Sequence, residues 1–205
     1  MREVCSSGPY LPAPLLLCIP EDMKGTMLLV GLLALCMTPG LAEYNINVND
    51  DNNVAGSGQQ SVSINNAHNV ANVDNNNGWD SWNALWDYQN GFAATRLFAK
   101  KTCIVHKMNN EVMPSLQTLD ALAKEKGKGS GGQPPKVLRY SVSSNQVDDL
   151  NKFGQNIAGM CQGLPTYVAE EIPETNLAFY SEKCYDANIL WILNISFCGS
   201  TIQSK

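Results

Sequence analysis

Four cysteines, Cys103, Cys161, Cys184 and Cys198, constrain this chain most. They shape the fold only if the chain enters an oxidising compartment, so its N-terminus decides how they are read. Lys24 precedes the apolar run MLLVGLLALCM at 27–37. Thr38-Pro39-Gly40-Leu41-Ala42 follows, with small residues at the two positions a signal peptidase reads. This predicts a cleavable secretory signal cut after Ala42. The run falls well short of the roughly 20 residues of a membrane-spanning helix, so no stable membrane anchor is expected. Residues 1–22, ahead of the more ordinary start at Met23, read as an upstream extension. With 1–42 set aside, Cys5, Cys18 and Cys36 leave too. The remaining four predict two disulfides, with three pairings open. Pairing by nearness in sequence would join Cys184 to Cys198 and Cys103 to Cys161. The ligand spacing of a zinc site is missing, and only His68 and His106 could assist, so neither metal nor cofactor is expected.

Of the 14 basic and 19 acidic residues in the full sequence, two and three respectively precede residue 43. The mature chain is therefore mildly acidic, which argues against nucleic acid or an anionic membrane as partner. Enzyme signatures are missing too. Gly127, Gly129 and Gly132 spell G-x-G-x-x-G, but they lie before Pro134-Pro135 rather than between a strand and a helix, and read as a loop. There is no G-x-S-x-G elbow, and oxidised cysteines supply no thiolate. His106 sits in a strand pattern and reads as structural. The expectation is a protein that is not an enzyme.

Three composition zones follow the signal. Residues 43–78 form an Asn-rich leader in which YNINVND and SVSIN alternate with period two. Both short strands and a disordered leader fit them. Residues 79–172 read as a mixed α/β domain. ALWDYQN and AATRLFAKKTCIVHKM predict strands on either side of a turn at Asn90-Gly91. Pro114 is placed at the first position of a helix carrying Leu116, Leu119, Leu122 and Ala123. A strand VLRYSVS follows, and then a second helix capped by Asn145 with a stripe of Val147, Leu150, Phe153, Ile157, Met160 and Cys161. Residues 173–205 read as a hairpin turning at Asp186-Ala187-Asn188, with a cysteine on each arm.

ILWILNISFC at 189–198 is uncharged, free of proline and rich in β-branched and aromatic residues. Exposed, it would aggregate, so the protein must cover or pin it. Leu190, Trp191, Ile192, Leu193, Ile195 and Phe197 are the apolar side chains to be covered. Asn194-Ile195-Ser196 is a glycosylation sequon inside that strand. Trp79, Trp82 and Trp86 read as core or hairpin packing, with a binding stripe as the alternative.

Asp87, between Trp86 and Tyr88, has two readings. In one, its carboxylate accepts hydrogen bonds from amides at the Asn90-Gly91 turn. In the other, neighbouring aromatics desolvate it and raise its pKa, so that it changes charge in the mildly acidic secretory pathway or mucus, the fold being compact at lower pH and a helix loosening from the sheet near neutral.

Asp87 within D-Y-x-x-G-F-A-A, Cys103 sixteen residues on, and Cys161 in MCQGLPTYVAEEI together resemble the BRICHOS family, whose defining trio is one Asp and two Cys. YNINVNDDNN, NNNGWDSWN, TCIVHKMN and ISFCG are similar to its secreted gastric members. The resemblance implies an α+β fold, a central β-sheet flanked by two helices and tied by Cys103 to Cys161, with a second cysteine pair on a C-terminal hairpin. It also implies chaperone-like capture of β-prone polypeptide clients, with 177–198, and in it Leu190, Trp191, Ile192, Leu193, Ile195 and Phe197, as the candidate client in cis, together with suppression of amyloid and a role in the integrity and growth control of gastric epithelium. The chain departs from the common layout, since a cleavable signal and an Asn-rich leader replace the usual membrane segment and linker. Localisation is expected in secretory granules and extracellular mucus, with a homo-oligomer as one admissible state. The rival readings are a secreted factor acting on an epithelial receptor and a structural component contacting mucus glycoproteins.

Overall fold

Period-two alternation of apolar and polar residues, sustained through most of the chain, builds one mixed sheet. The computed structural model describes residues 42–47, 59–125, 134–173 and 184–200. These hold ten strands: β1 Ala42–Asn47, β2 Gln59–Asn65, β3 Val70–Asn76, β4 Trp82–Asp87, β5 Phe92–Leu97, β6 Thr102–Lys107, β7 Lys136–Gln146, β8 Thr166–Glu171, β9 Cys184–Ile189 and β10 Leu193–Cys198. Their order across the sheet is β1-β2-β3-β4-β5-β6-β8-β7-β10-β9. Pairing is antiparallel except at β6–β8 and β7–β10. Two helices complete an α+β chain, α1 at Leu116–Lys124 and α2 at Gln155–Cys161.

Alternation sorts side chains to two faces. Val62, Val73, Trp86, Ile104, Tyr140 and Phe197 gather on the inner face with Leu116, Leu119 and Ala123 of α1, which packs over β1 and β2. The outer face carries a smaller cluster, in which Ala94, Cys103 and Val105 meet Phe153, Ile157 and Cys161 of the α2 segment. The sheet is curled so far that the side chain of Gln60 on β2 reaches the backbone of Asn188 on β9, at the opposite edge. Leader strands belong to this sheet: β3 pairs with β4 from Val70↔Asp87 to Asn75↔Trp82. Buried Val62, Ile64 and Val73 anchor them in the inner core.

Several expectations are corrected. The run 93–108 is two strands, because Lys100 and Lys101 fall in its middle and their charges go to a turn, with Lys101 at φ 50° and its N–H bonded to the Phe98 carbonyl. Helix α1 starts after Ser115, whose hydroxyl accepts the Thr118 N–H at 3.2 Å. That cap displaces Pro114 from the first helical position. Asn145 caps nothing, since β7 runs on through it, and α2 begins only after Gly154, at φ 96°. Phe153, Ile157 and Cys161 of the expected stripe are nevertheless buried together. The C-terminal hairpin turns at Leu190–Ile192, and Asp186, Ala187 and Asn188 lie within β9. Its register puts Cys184 opposite Cys198, so the tip falls midway between them at Trp191. The three tryptophans part company: Trp82 and Trp86 are buried, while Trp79 is 84 % exposed on a short 3-10 turn. The signal segment, the Gly-rich loop at 127–133 and the first hairpin arm at 177–183 lie outside the described residues.

Candidate functional site

Asp87, Cys103 and Cys161 all serve to pin α2 to the sheet. Asp87 ends β4 and is fully buried on the outer face. Its Oδ1 accepts the Asn90 N–H at 3.0 Å, and its Oδ2 accepts the carboxamides of Asn90 at 2.8 Å and of Asn156 at 3.0 Å. Asn156 stands in the first turn of α2, so this carboxylate clamps the helix's N-terminal end to the β4–β5 hairpin. Cys161, at the other end of α2, is bonded to Cys103 on β6. Phe92 and Phe153 meet edge to face at 5.2 Å alongside. A helix of two turns has little stability alone, and these ties hold it in place.

The clamp needs a glycine. A Cβ on Gly154 would lie 2.9 Å from Asn90 Cγ and closer still to Asn90 Nδ2, and φ at this residue is itself disfavoured for L side chains. Gly154, Asn90 and Asn156 are thus functional parts of the clamp. Only Asn90 stood out in the sequence, as half of a turn signal. The hydrogen-bonding reading of Asp87 therefore describes its surroundings. The expected aromatic neighbours are corrected: alternation sends Trp86 and Tyr88 to the inner core, while the buried Asp87 faces α2.

The second feature is the strand β10. It lies between β7, in parallel register from Leu193↔Lys136 to Cys198↔Ser141, and β9, in antiparallel register. Leu193, Ile195 and Phe197 are buried on the inner face. Leu190, Trp191 and Ile192 are not strand residues: they form the tip, with Leu190 buried at φ 51° and the other two packed against the core. Asn194, the sequon residue, stands opposite Val137 and Asn188 with its side-chain oxygen buried. Cys184 and Cys198, with Cα atoms 4.1 Å apart, close the open end of the hairpin.

His106 on β6 meets this strand from below. Its ring lies 4.1 Å from Tyr140 and 5.8 Å from Phe197 between centroids. Nδ1 donates to the Lys107 carbonyl at 3.0 Å, and Nε2 has no hydrogen-bond partner among the described residues. Complete burial pushes its pKa down to about 4, so the neutral ring is the form that packs. The sequence marked His106 only as structural; its contact with β10 comes from parallel pairings that periodicity does not reveal. Where β6 parts from β8, a cavity of about 610 Å³ opens beside Phe92, Phe153, Tyr140, Glu170 and Glu171. Among the described residues, no cluster of His, Cys, Asp and Glu is placed to hold a metal, and no helix is long and apolar enough to cross a membrane.

The BRICHOS domain family matches residues 78–168, which contain the whole clamp. Gastrokine-1 of Homo sapiens is 70 % identical over 185 residues and that of Mus musculus 66 % over 184, each covering 89 % of this chain and the full length of the relative. Gastrokine-3 of Homo sapiens is 31 % identical over 169 residues, 80 % of this chain and 91 % of the relative. No solved structure matches. The chain belongs to the gastrokine family of BRICHOS-domain proteins.

Proposed function

We propose that this protein is a secreted, non-enzymatic chaperone of the gastric mucosa that holds β-prone segments in extended form and keeps them from growing amyloid. In this reading it supports the integrity and growth control of the epithelium by that means. The observation that supports it is β10: an uncharged strand with every hallmark of an aggregating segment is hydrogen-bonded on both sides and covered by Tyr140 and His106. Main-chain pairing to a sheet is the strand-addition mode by which proteins take up extended peptides with little regard for sequence. A fold that does this to its own segment has the chemistry to do it to another. The test is fibril growth of an amyloid-forming peptide with substoichiometric protein, disulfides intact, at neutral and mildly acidic pH. Delay is expected. Unchanged kinetics at both pH values would restrict the sheet to shielding its own hairpin and move the function to an epithelial receptor.

A further inference from the structure

The side-chain amide of Gln60 stands where a strand's backbone belongs. Gln60 is on β2, buried to 2 % exposure, and β2 is neither a neighbour of β9 in the sheet nor close to it in sequence. Its Nε2 nevertheless donates to the Asn188 carbonyl at 2.6 Å, and its Oε1 accepts the Leu190 N–H at 2.8 Å. Among the described strands β9 ends the sheet and pairs with β10 alone, so the Gln60 bonds fall on the side away from β10. In a parallel ladder, one residue of an incoming strand opposite residue i donates to the carbonyl of i−1 and accepts from the N–H of i+1. With Ile189 as residue i, those are the two bonds that Gln60 makes. One side chain fills a single rung of a strand that the sheet lacks.

The choice of residue matters. Lysine, proline or a bulge would obstruct such an edge against any newcomer. A carboxamide instead satisfies it with the two groups that a peptide backbone also offers, so a peptide can take its place bond for bond. At the other end of β9, Tyr185 Oη donates to the Asp80 carbonyl at 3.0 Å, a second side-chain contact in place of a ladder.

We propose that the outer edge of the hairpin from Tyr185 on β9 to Leu190 at its tip is a strand-addition site for an extended polypeptide running parallel to β9, and that Gln60 holds it shut. The proposal rests on the chaperone reading and gives that activity a place and a direction. Alternation sets the occupant's pattern: apolar side chains inward beside buried Ala187 and Ile189, polar ones outward beside Asp186 and Asn188. The segment displaces one amide and regains both of its bonds, adding others along β9.

The test uses the full chain with disulfides intact and an octapeptide of alternating threonine and valine bearing a nitroxide at its N-terminus. Gln60→Ala removes the competitor, and two lost hydrogen bonds should tighten peptide binding by about 5-fold to 100-fold over the wild type. Bound peptide should slow exchange of the Leu190 amide. Because the strands run parallel, the nitroxide should broaden Tyr185 more than Leu190. Gln60→Glu keeps the acceptor for Leu190 and loses the donor to Asn188. It should bind with intermediate affinity, and it serves if Gln60→Ala fails to fold. Equal affinities across the three proteins, or broadening centred away from Tyr185, would overturn the edge while leaving a chaperone that binds elsewhere. Failure of all three to bind peptide or delay fibrils would overturn both.

Discussion

Gly154→Ala tests whether the carboxylate clamp holds α2. The new methyl group would overlap the Asn90 carboxamide, whose Cγ lies 2.9 Å from the ideal Cβ position, and an L residue would be forced to φ 96°. The backbone strain costs about 1–3 kcal/mol. Relieving the overlap sends the exposed Asn90 side chain outward and breaks its 2.8 Å bond to Asp87, a charge-assisted bond worth about 1.5–3 kcal/mol. The expected loss is about 3–5 kcal/mol in equilibrium urea unfolding of the oxidised protein. Asn90→Ala supplies the control, because it deletes the overlapped group and leaves the Asn90 N–H bond to Asp87 Oδ1 intact. In that background Gly154→Ala should cost only the backbone strain, so the double variant should fall short of additivity by about 2 kcal/mol. A Gly154→Ala loss under about 1 kcal/mol, or costs that add within about 0.5 kcal/mol, would refute the clamp.

Strand β10 and its neighbours give three further expected outcomes. Because burial lowers the His106 pKa from 6.5 to about 4, its neutral ring contributes fully above 6.5, and stability falls as pH drops from there to 4; the loss should approach about 3 kcal/mol, and His106→Leu should remove it in unfolding curves between pH 7 and pH 4. Replacing Cys184 and Cys198 together with serine opens a loop of 14 residues, which should cost about 3 kcal/mol in the same assay and speed amide exchange in β10. Phe197→Ala empties a fully buried position against Tyr140 and His106 and should cost about 3–5 kcal/mol by chemical denaturation.

Local chemistry made parts of this fold legible. Asn90-Gly91 marked a true hairpin, and the spacing of Leu116, Leu119 and Ala123 marked the buried face of α1. The aggregation-prone character of 189–198 required a covered strand, and β10 is one. What escaped was whatever depends on partners distant in sequence. The β7–β10 and β6–β8 pairings are parallel crossovers, and no periodicity announces them. Asn156 looks like any polar helix residue until the curvature of the chain brings it to Asp87, 69 positions away. The flanking Trp86 and Tyr88 suggest aromatic surroundings for Asp87, yet a strand sends successive residues to opposite faces, so neighbours in sequence are not neighbours in space. Asp186-Ala187-Asn188 has turn chemistry, whereas the register imposed by Cys184 and Cys198 demands strand there and moves the turn to Leu190–Ile192.

If the sheet takes up extended segments such as its own β10, it should hold back fibril growth of a peptide copied from that strand. The most direct measurement is fibril growth of a synthetic peptide with the sequence of residues 190–197, followed with and without substoichiometric, disulfide-intact protein. A lag that lengthens with protein concentration is expected, with the peptide's amides protected in a soluble complex. A lag unchanged at every concentration, with no soluble complex formed, would contradict it.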